Sequence, residues 1–323
     1  LPSSFFLLIM SNRKYAVSGT GAIGGFYGAK LQQAGREVHF LLRSDYEYVK
    51  QNGLIIESKD GNFTLPQVNA YRDVEKMPSC DVVMIALKST QNNLLSQLLP
   101  PLIKANTIFL VLQNGLGTEA DVAQIVGNNP VIGGLCFICS NKVNNGLIRH
   151  LDYGYIALGE YSDEYQKRGI TERMRDIASD FEKAGVPIEF SEDLLLAKWQ
   201  KLVWNIPYNG LSVILDARTD EIMGNQDTRF LVEELMGEVV LAAKSYGRLI
   251  SDEFVNKMLY YTEKMTPYRT SMKIDYDEKR PLEVEAIFGT PLRYAAKKGV
   301  NLSKIEVLYR QLKFLDKLRC RGD

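Results

Sequence analysis

The chain is poor in the residues on which disulfide-built and metal-built proteins depend. Four cysteines in 323 residues are too few to staple a fold, and two histidines leave little material for a metal centre. Cys136 and Cys139 form a C-x-x-C pair at the end of the apolar run 131–138. A spacing of three sends side chains to opposite faces of a strand, so the pair reads as buried strand cysteines rather than as ligands or a redox couple. Charge of one sign is missing as well, with 39 lysines and arginines against 39 aspartates and glutamates. That balance gives no field for a polyanion or an acidic membrane, and no basic stripe interleaved with aromatics is present to bind nucleic acid. No uncharged run is long enough to cross a bilayer. The apolar opening 1–9 lacks a basic n-region and a cleavage signal; it reads as a disordered extension ahead of Met10, the natural start. Repeats and low-complexity tracts are also absent. What remains is a soluble globular protein suited to the cytoplasm.

What is there is a hydrophobic share of 46%, enough over this length for two domains, each with its own core. Short apolar runs at 15–17, 38–42, 82–87, 108–112, 131–138 and 155–159 alternate with helical patterns, the signature of βα units and a mainly parallel sheet. From about Asp193 the pattern changes to long helical segments. Ser251 and Ser303 mark helix starts, the latter with Glu306 as a capping box, and Gly247 and Gly299 mark stops. The expected organisation is an α/β domain over 11–192 and an all-helical domain over 193–323, tightly joined near Ser191–Asp193, with a ligand in the cleft between them.

Gly19-Thr20-Gly21-Ala22-Ile23-Gly24 follows the first apolar run and opens a helical stretch reaching Gly35. In this context the first glycine permits the tight turn, the second lets backbone approach a pyrophosphate, and the third lets helix pack on strand. The helix amino terminus adds free N–H groups and a positive dipole end. A dinucleotide site is the consequence. At the end of the second strand, where NAD-binding proteins carry an acid for the ribose hydroxyls, this chain has Arg43 followed by Ser44. A cation and a hydroxyl suit a 2′-phosphate, so NADPH is the expected cofactor. Asp45 would weaken that reading if it occupied the ribose site instead.

The chain resembles the ketopantoate reductase family, and the resemblance runs in order along nearly its whole length. It rests on residues 19–24 with Arg43, on Leu87-Lys88-Ser89-Thr90-Gln91, on Leu112-Gln113-Asn114-Gly115-Leu116-Gly117, on Trp199-Gln200-Lys201-Leu202-Val203-Trp204-Asn205 continuing to Asn209, and on Ser271-Met272-Lys273-Ile274-Asp275 with Glu283. The resemblance implies an amino-terminal Rossmann-type domain, an all-helical carboxy-terminal domain, and reduction of ketopantoate to pantoate by NADPH. It makes Lys201 the general acid. Lys88 would hold the cofactor ribose or position substrate, Asn114 would sit beside the nicotinamide and substrate, and Ser271 would bind the substrate carboxylate. Glu283 would touch the substrate oxygen and the catalytic lysine.

The local pattern agrees. Lys201, Asn205 and Asn209 recur at i, i+4 and i+8, so one helical face presents an ammonium and two amides amid apolar bulk. A partly buried amine has a lowered pKa and works as an acid nearer neutral pH. Pro207 departs from the family pattern and should kink or end the helix, which affects the aim of Asn209. His150 has no triad partner nearby and reads as structural. Three readings compete with ketopantoate reduction: another 2-oxo acid on the same fold, a non-catalytic NADP(H) sensor, and ordinary surface roles for the lysine and amides. The joint presence of Lys201 and Glu283 argues against the sensor. A homodimer is the candidate assembly.

Overall fold

The structure, a computed structural model, describes residues 12–319, so the readings of 1–9 and Met10 lie outside the described residues. Its strands are β1 (Lys14–Ser18), β2 (Glu37–Leu41), β3 (Leu54–Ser58), β4 (Phe63–Leu65), β5 (Asn69–Tyr71), β6 (Val82–Ile85), β7 (Ile108–Val111), β8 (Val131–Asn144), β9 (Leu147–Glu160) and β10 (Ile188–Ser191). They form one sheet in the order β4-β3-β9-β8-β7-β6-β1-β2-β5, with β10 also pairing β9. From β5 to β8 all neighbours are parallel. The chain leaves β1 through α1 (Ala22–Gln33) toward β2, whereas β6 lies on the other side of β1. At such a reversal the loops after the strands diverge and leave a crevice.

Helices α2 (Tyr46–Asn52), α3 (Leu95–Leu98), α4 (Thr118–Val126) and α5 (Glu172–Lys183) complete the sheet half. Residue alternation along β1 explains its two faces: Tyr15 and Val17 enter one core, Ala16 the other. After β10 the chain is helical, with α6 (Leu194–Ile214), α7 (Thr219–Gly224), α8 (Gln226–Ser245), α9 (Asp252–Lys264), α10 (Ser271–Asp277), α11 (Thr290–Lys297) and α12 (Ser303–Arg319). Helix α6 starts where Asp193 accepts from the Leu196 N–H at 3.0 Å. The third core is built on Trp199 and Phe288, and it takes in Leu116, Leu135, Ala157 and Tyr165 from the sheet half. The halves are therefore welded by a shared core, not merely tethered.

Three local expectations come out differently. The runs at 131–138 and 155–159 belong to a long antiparallel hairpin, β8–β9, whose outer part continues past them. The Ser303–Glu306 capping box does not form. Glu238 of α8 instead accepts from the Lys304 and Ile305 N–H groups, both at 2.9 Å, and a carboxylate at a helix amino terminus is favoured by the dipole. Of the two outcomes expected of Pro207, an end to the helix does not occur: α6 runs on to Ile214 with Pro207 buried in its interior. The stops at Gly247 and Gly299 do hold, each at a φ near +70°.

Candidate active site

The glycine loop lies at the sheet reversal, and its backbone explains two of its three glycines without reference to any ligand. Gly19 has φ 101°, and a Cβ there would strike the Leu87 backbone at the end of β6. A Cβ on Gly24 would run into the Gly19 carbonyl and Val17. Gly21 is different: an added Cβ would meet nothing within 4 Å. It caps α1, whose first turn holds no acid and whose terminus has no side-chain cap. Open space in front of unpaired, positively polarised N–H groups fits a pyrophosphate. Thr20 is occupied structurally, donating to the Leu41 carbonyl at 2.8 Å.

The β1–β2 register sets Ser18 beside Leu41, so Arg43 projects just past the strand ends next to this loop. Arg43 and Ser44 are exposed, and the Arg43 side chain has no hydrogen-bond or ion-pair partner among the described residues. Asp45 is turned away and buried, 2.6 Å from Lys142 Nζ. It is thereby removed as a competitor for the ribose site. The residues present fit NADPH.

Across the crevice, α6 aims Lys201 at the sheet half. Its Nζ donates to the Cys136 carbonyl of β8 at 2.7 Å and lies 5.1 Å from the centre of the Phe137 ring. Lys201 shares a small cavity with Asn114 and Asn205, closed by Gln113, Lys198 and Leu202. Burial pushes the Lys201 ammonium down to about 8; Cys136, Glu283 and Glu119 resist that fall, and the Lys198 ammonium adds to it. Asn209 lies farther along α6, where its Oδ1 accepts from the Met272 N–H at 3.4 Å and so ties α6 to the start of α10. Ser271 begins α10, half-buried, with no hydrogen-bond partner for its hydroxyl among the described residues.

A second cluster gathers around Lys88. Lys88, just after β6, donates to Asp275 Oδ2 at 2.5 Å and lies 3.8 Å from Glu283. Desolvation works against its charge, but Glu283 and Asp275 outweigh it and hold the Lys88 pKa above the usual value. Glu283 itself accepts from both the N–H and the hydroxyl of Ser89, each at 2.9 Å. Arg280 donates to the other Asp275 oxygen at 2.8 Å. The ion pairs of Lys88 with Asp275 and Glu283 join the sheet half to the helical half, and Arg280 steadies Asp275 from within the helical half.

Sequence reasoning marked Lys88, Asn114, Lys201, Asn205 and Glu283 but gave no role to Ser89, Gln113, Asp275 or Lys198. Gln113 donates to the Leu87 carbonyl and to Asn92, fixing the loop that carries Asn114. Lys198 pairs with Glu119 at 2.5 Å, both essentially without solvent contact. Ser89 and Asp275 stood inside the quoted blocks, whereas nothing in the sequence couples Lys198 to Glu119. His150 is structural as read, bonded to Ser58 Oγ at 2.8 Å and to the Tyr153 carbonyl at 2.8 Å. Cys136 and Cys139 are buried free thiols on β8, and burial pushes Cys136 up to about 11.

A glycine loop open to phosphate, a free strand-end arginine and a buried lysine across the same crevice define a nucleotide-dependent oxidoreductase. The family described as "Ketopantoate reductase PanE/ApbA" matches residues 15–163, and its C-terminal counterpart matches residues 193–316. A 2-dehydropantoate 2-reductase of Nostoc sp. (strain PCC 7120) is 66% identical over 95% of this chain and 96% of its own. Among solved structures, the 2-dehydropantoate 2-reductase of Geobacter metallireducens superposes with a TM-score of 0.89 at 42% identity, covering 93% of this chain and 99% of that one. That of Methylococcus capsulatus gives 0.86 at 33% identity, covering 95% and 97%. The chain belongs to the ketopantoate reductase PanE/ApbA family.

Proposed function

We propose that the chain reduces 2-dehydropantoate to pantoate with NADPH, using Lys201 as the proton donor. The observation that carries the reading is Lys201 itself: a half-buried ammonium that donates to the Cys136 carbonyl and shares one cavity with Asn114 and Asn205 at the carboxyl ends of the sheet, where desolvation lowers its pKa. Family membership and the Nostoc relative support the substrate and the reaction. Residues 19–24 and Arg43 would hold the pyrophosphate and the 2′-phosphate. Bound NADPH supplies the hydride.

The chain's own groups do the rest. As charge builds on the carbonyl oxygen, Lys201 neutralises it and gives the proton that the product hydroxyl needs. Asn205, one turn along α6, and Asn114 orient the oxygen from two sides. Ser271, with an uncommitted hydroxyl, binds the substrate carboxylate, and Asn209 fixes the start of the helix that carries it. Lys88 keeps its charge and binds rather than transfers protons. Glu283 positions Lys88 and the substrate oxygen. The site thus draws on residues 11–192 as the nucleotide domain and 193–323 as the substrate domain.

Cytoplasmic location and a homodimer belong to the same proposal. The buried free cysteines suit a reducing compartment, and among the described residues no helix is long and apolar enough to cross a membrane. Light scattering on purified protein tests the assembly. An NADPH-oxidation assay across ketopantoate, pyruvate, 2-oxoisovalerate and oxaloacetate tests the function: ketopantoate should have the highest kcat/KM, and preference for another acid would overturn the substrate.

A further inference from the structure

The cavity around Lys201 contains a second ammonium that the reaction does not use. Lys198 lies one turn earlier on α6, lines the same cavity and is 3% exposed. Residues three apart on a helix are neighbours, so the two lysines stand side by side. Two like charges side by side in a largely buried pocket repel, and neutralising one of them relieves that repulsion.

The neutralising group is built with care. Glu119, wholly buried in the first turn of α4, sets Oε1 2.5 Å from Lys198 Nζ. Its other oxygen accepts from the Tyr165 hydroxyl at 2.8 Å, and that hydroxyl accepts in turn from the Gly117 N–H at 3.2 Å. Tyr165 pays for this position in backbone strain: its φ is 54°, a region a bulky side chain rarely adopts. Arg248 holds it there by donating to the Tyr165 carbonyl at 2.9 Å, while its Nε reaches Asp193 Oδ2 at 3.1 Å. A buried ion pair contributes little net stability compared with an apolar pair of the same shape, so joining the two halves is a weak reason for one.

We propose that the Lys198–Glu119 pair is a positioning device for the general acid: it fixes a charge beside Lys201 and so sets the pH at which Lys201 gives up its proton. The inference rests on Lys201 being the proton donor. Four titratable groups face Lys201: Lys198 from α6, Glu119 from α4, Glu283 from the segment before α11 and Cys136 from β8, the last kept a neutral thiol by burial. Lys198 favours loss of the proton, and the carboxylates of Glu119 and Glu283 oppose it. Removing Lys198 leaves Glu119 to hold the proton on Lys201. Removing the Glu119 charge leaves Lys198 to drive it off.

The test is the alkaline limb of kcat/KM against pH, with the Lys201 Nζ resonance followed by 15N NMR as a readout independent of turnover. Lys198→Met should move both upward by about one pH unit, a tenfold change in the protonation ratio of Lys201. Glu119→Gln should move both downward. The double variant, which leaves no unpaired charge, should fall between the two, and Lys198→Arg should stay near the wild type. If Lys198→Met does not fold, Glu119→Gln, the double variant and Lys198→Arg carry the same comparison. Midpoints that stay put in all of them, or that move in one direction, would show the pair to be structural and overturn the proposal. A limb that persists in Lys201→Ala would instead remove Lys201 as the donor.

Discussion

Two lysines, one from each half of the molecule, sit in opposite surroundings. Lys88, on the sheet side, is nearly half exposed yet hemmed in by Asp275 and Glu283, and its charge is reinforced. Lys201, on the helical side, has a backbone carbonyl and an aromatic face for neighbours and, among the described residues, no carboxylate in contact; burial erodes its charge. The same side chain is thus made a permanent cation in one place and an exchangeable proton in the other. In the proposed reaction the first would bind and the second would react.

The largest expected effect comes from deleting the reactive one. Lys201→Ala should lower turnover by roughly 10²–10⁴-fold, the usual worth of a general acid, while NADPH affinity by fluorescence titration stays nearly unchanged. Wild-type turnover in that variant would collapse the distinction between the two lysines. On the binding side, Glu283→Gln removes the acceptor charge for Ser89 and a carboxylate beside Lys88. Steady-state kinetics should show a raised Michaelis constant and a lower turnover, together about 10–100-fold in kcat/KM. A change confined to turnover would move Glu283 from the binding cluster to the chemical step.

Farther from the chemistry, Arg43→Ala should weaken NADPH by about tenfold to a hundredfold, the worth of a charge-assisted contact of about 1.5–3 kcal/mol, and leave NADH unaffected. Equal losses for both cofactors would refute the 2′-phosphate assignment. Smallest is Gly21→Ala. Since its Cβ would meet no protein atom, the melting temperature should hold while NADPH binding weakens several-fold; Gly24→Ala, by contrast, should destabilise the fold outright. A Gly21→Ala protein with unchanged NADPH affinity would mean that the open space in front of α1 is not the pyrophosphate seat.

The sequence made one of these environments far more legible than the other. Apolar runs located β1, β2, β6, β7 and the inner parts of β8 and β9, because strands buried on both faces are continuous hydrophobic segments. Strands β4 and β5, three residues each and half exposed, carry no such signal, and the outer half of the β8–β9 hairpin is polar. The glycine loop and the α6 lysine face were legible because each is a local pattern with a mechanism. Their surroundings were not. Asp275 reaches Lys88 across 187 residues of sequence, Glu238 caps α12 from another helix, and Asp45 turns inward only because Lys142 from the hairpin meets it. Local spacing says what a residue can do, while the charge it carries is decided by neighbours brought in by the fold.

The pH dependence of kcat/KM for ketopantoate at saturating NADPH tests that difference most directly. The acid must be protonated to give its proton, so the rate should be flat at neutral pH and fall as pH rises through about 8, where burial has brought Lys201. Lys88, whose pKa is raised, should contribute no limb in that range. A single alkaline limb near 8 that is lost in Lys201→Ala is the predicted result. A profile flat to pH 10, or a limb near 8 that survives removal of Lys201, would contradict it.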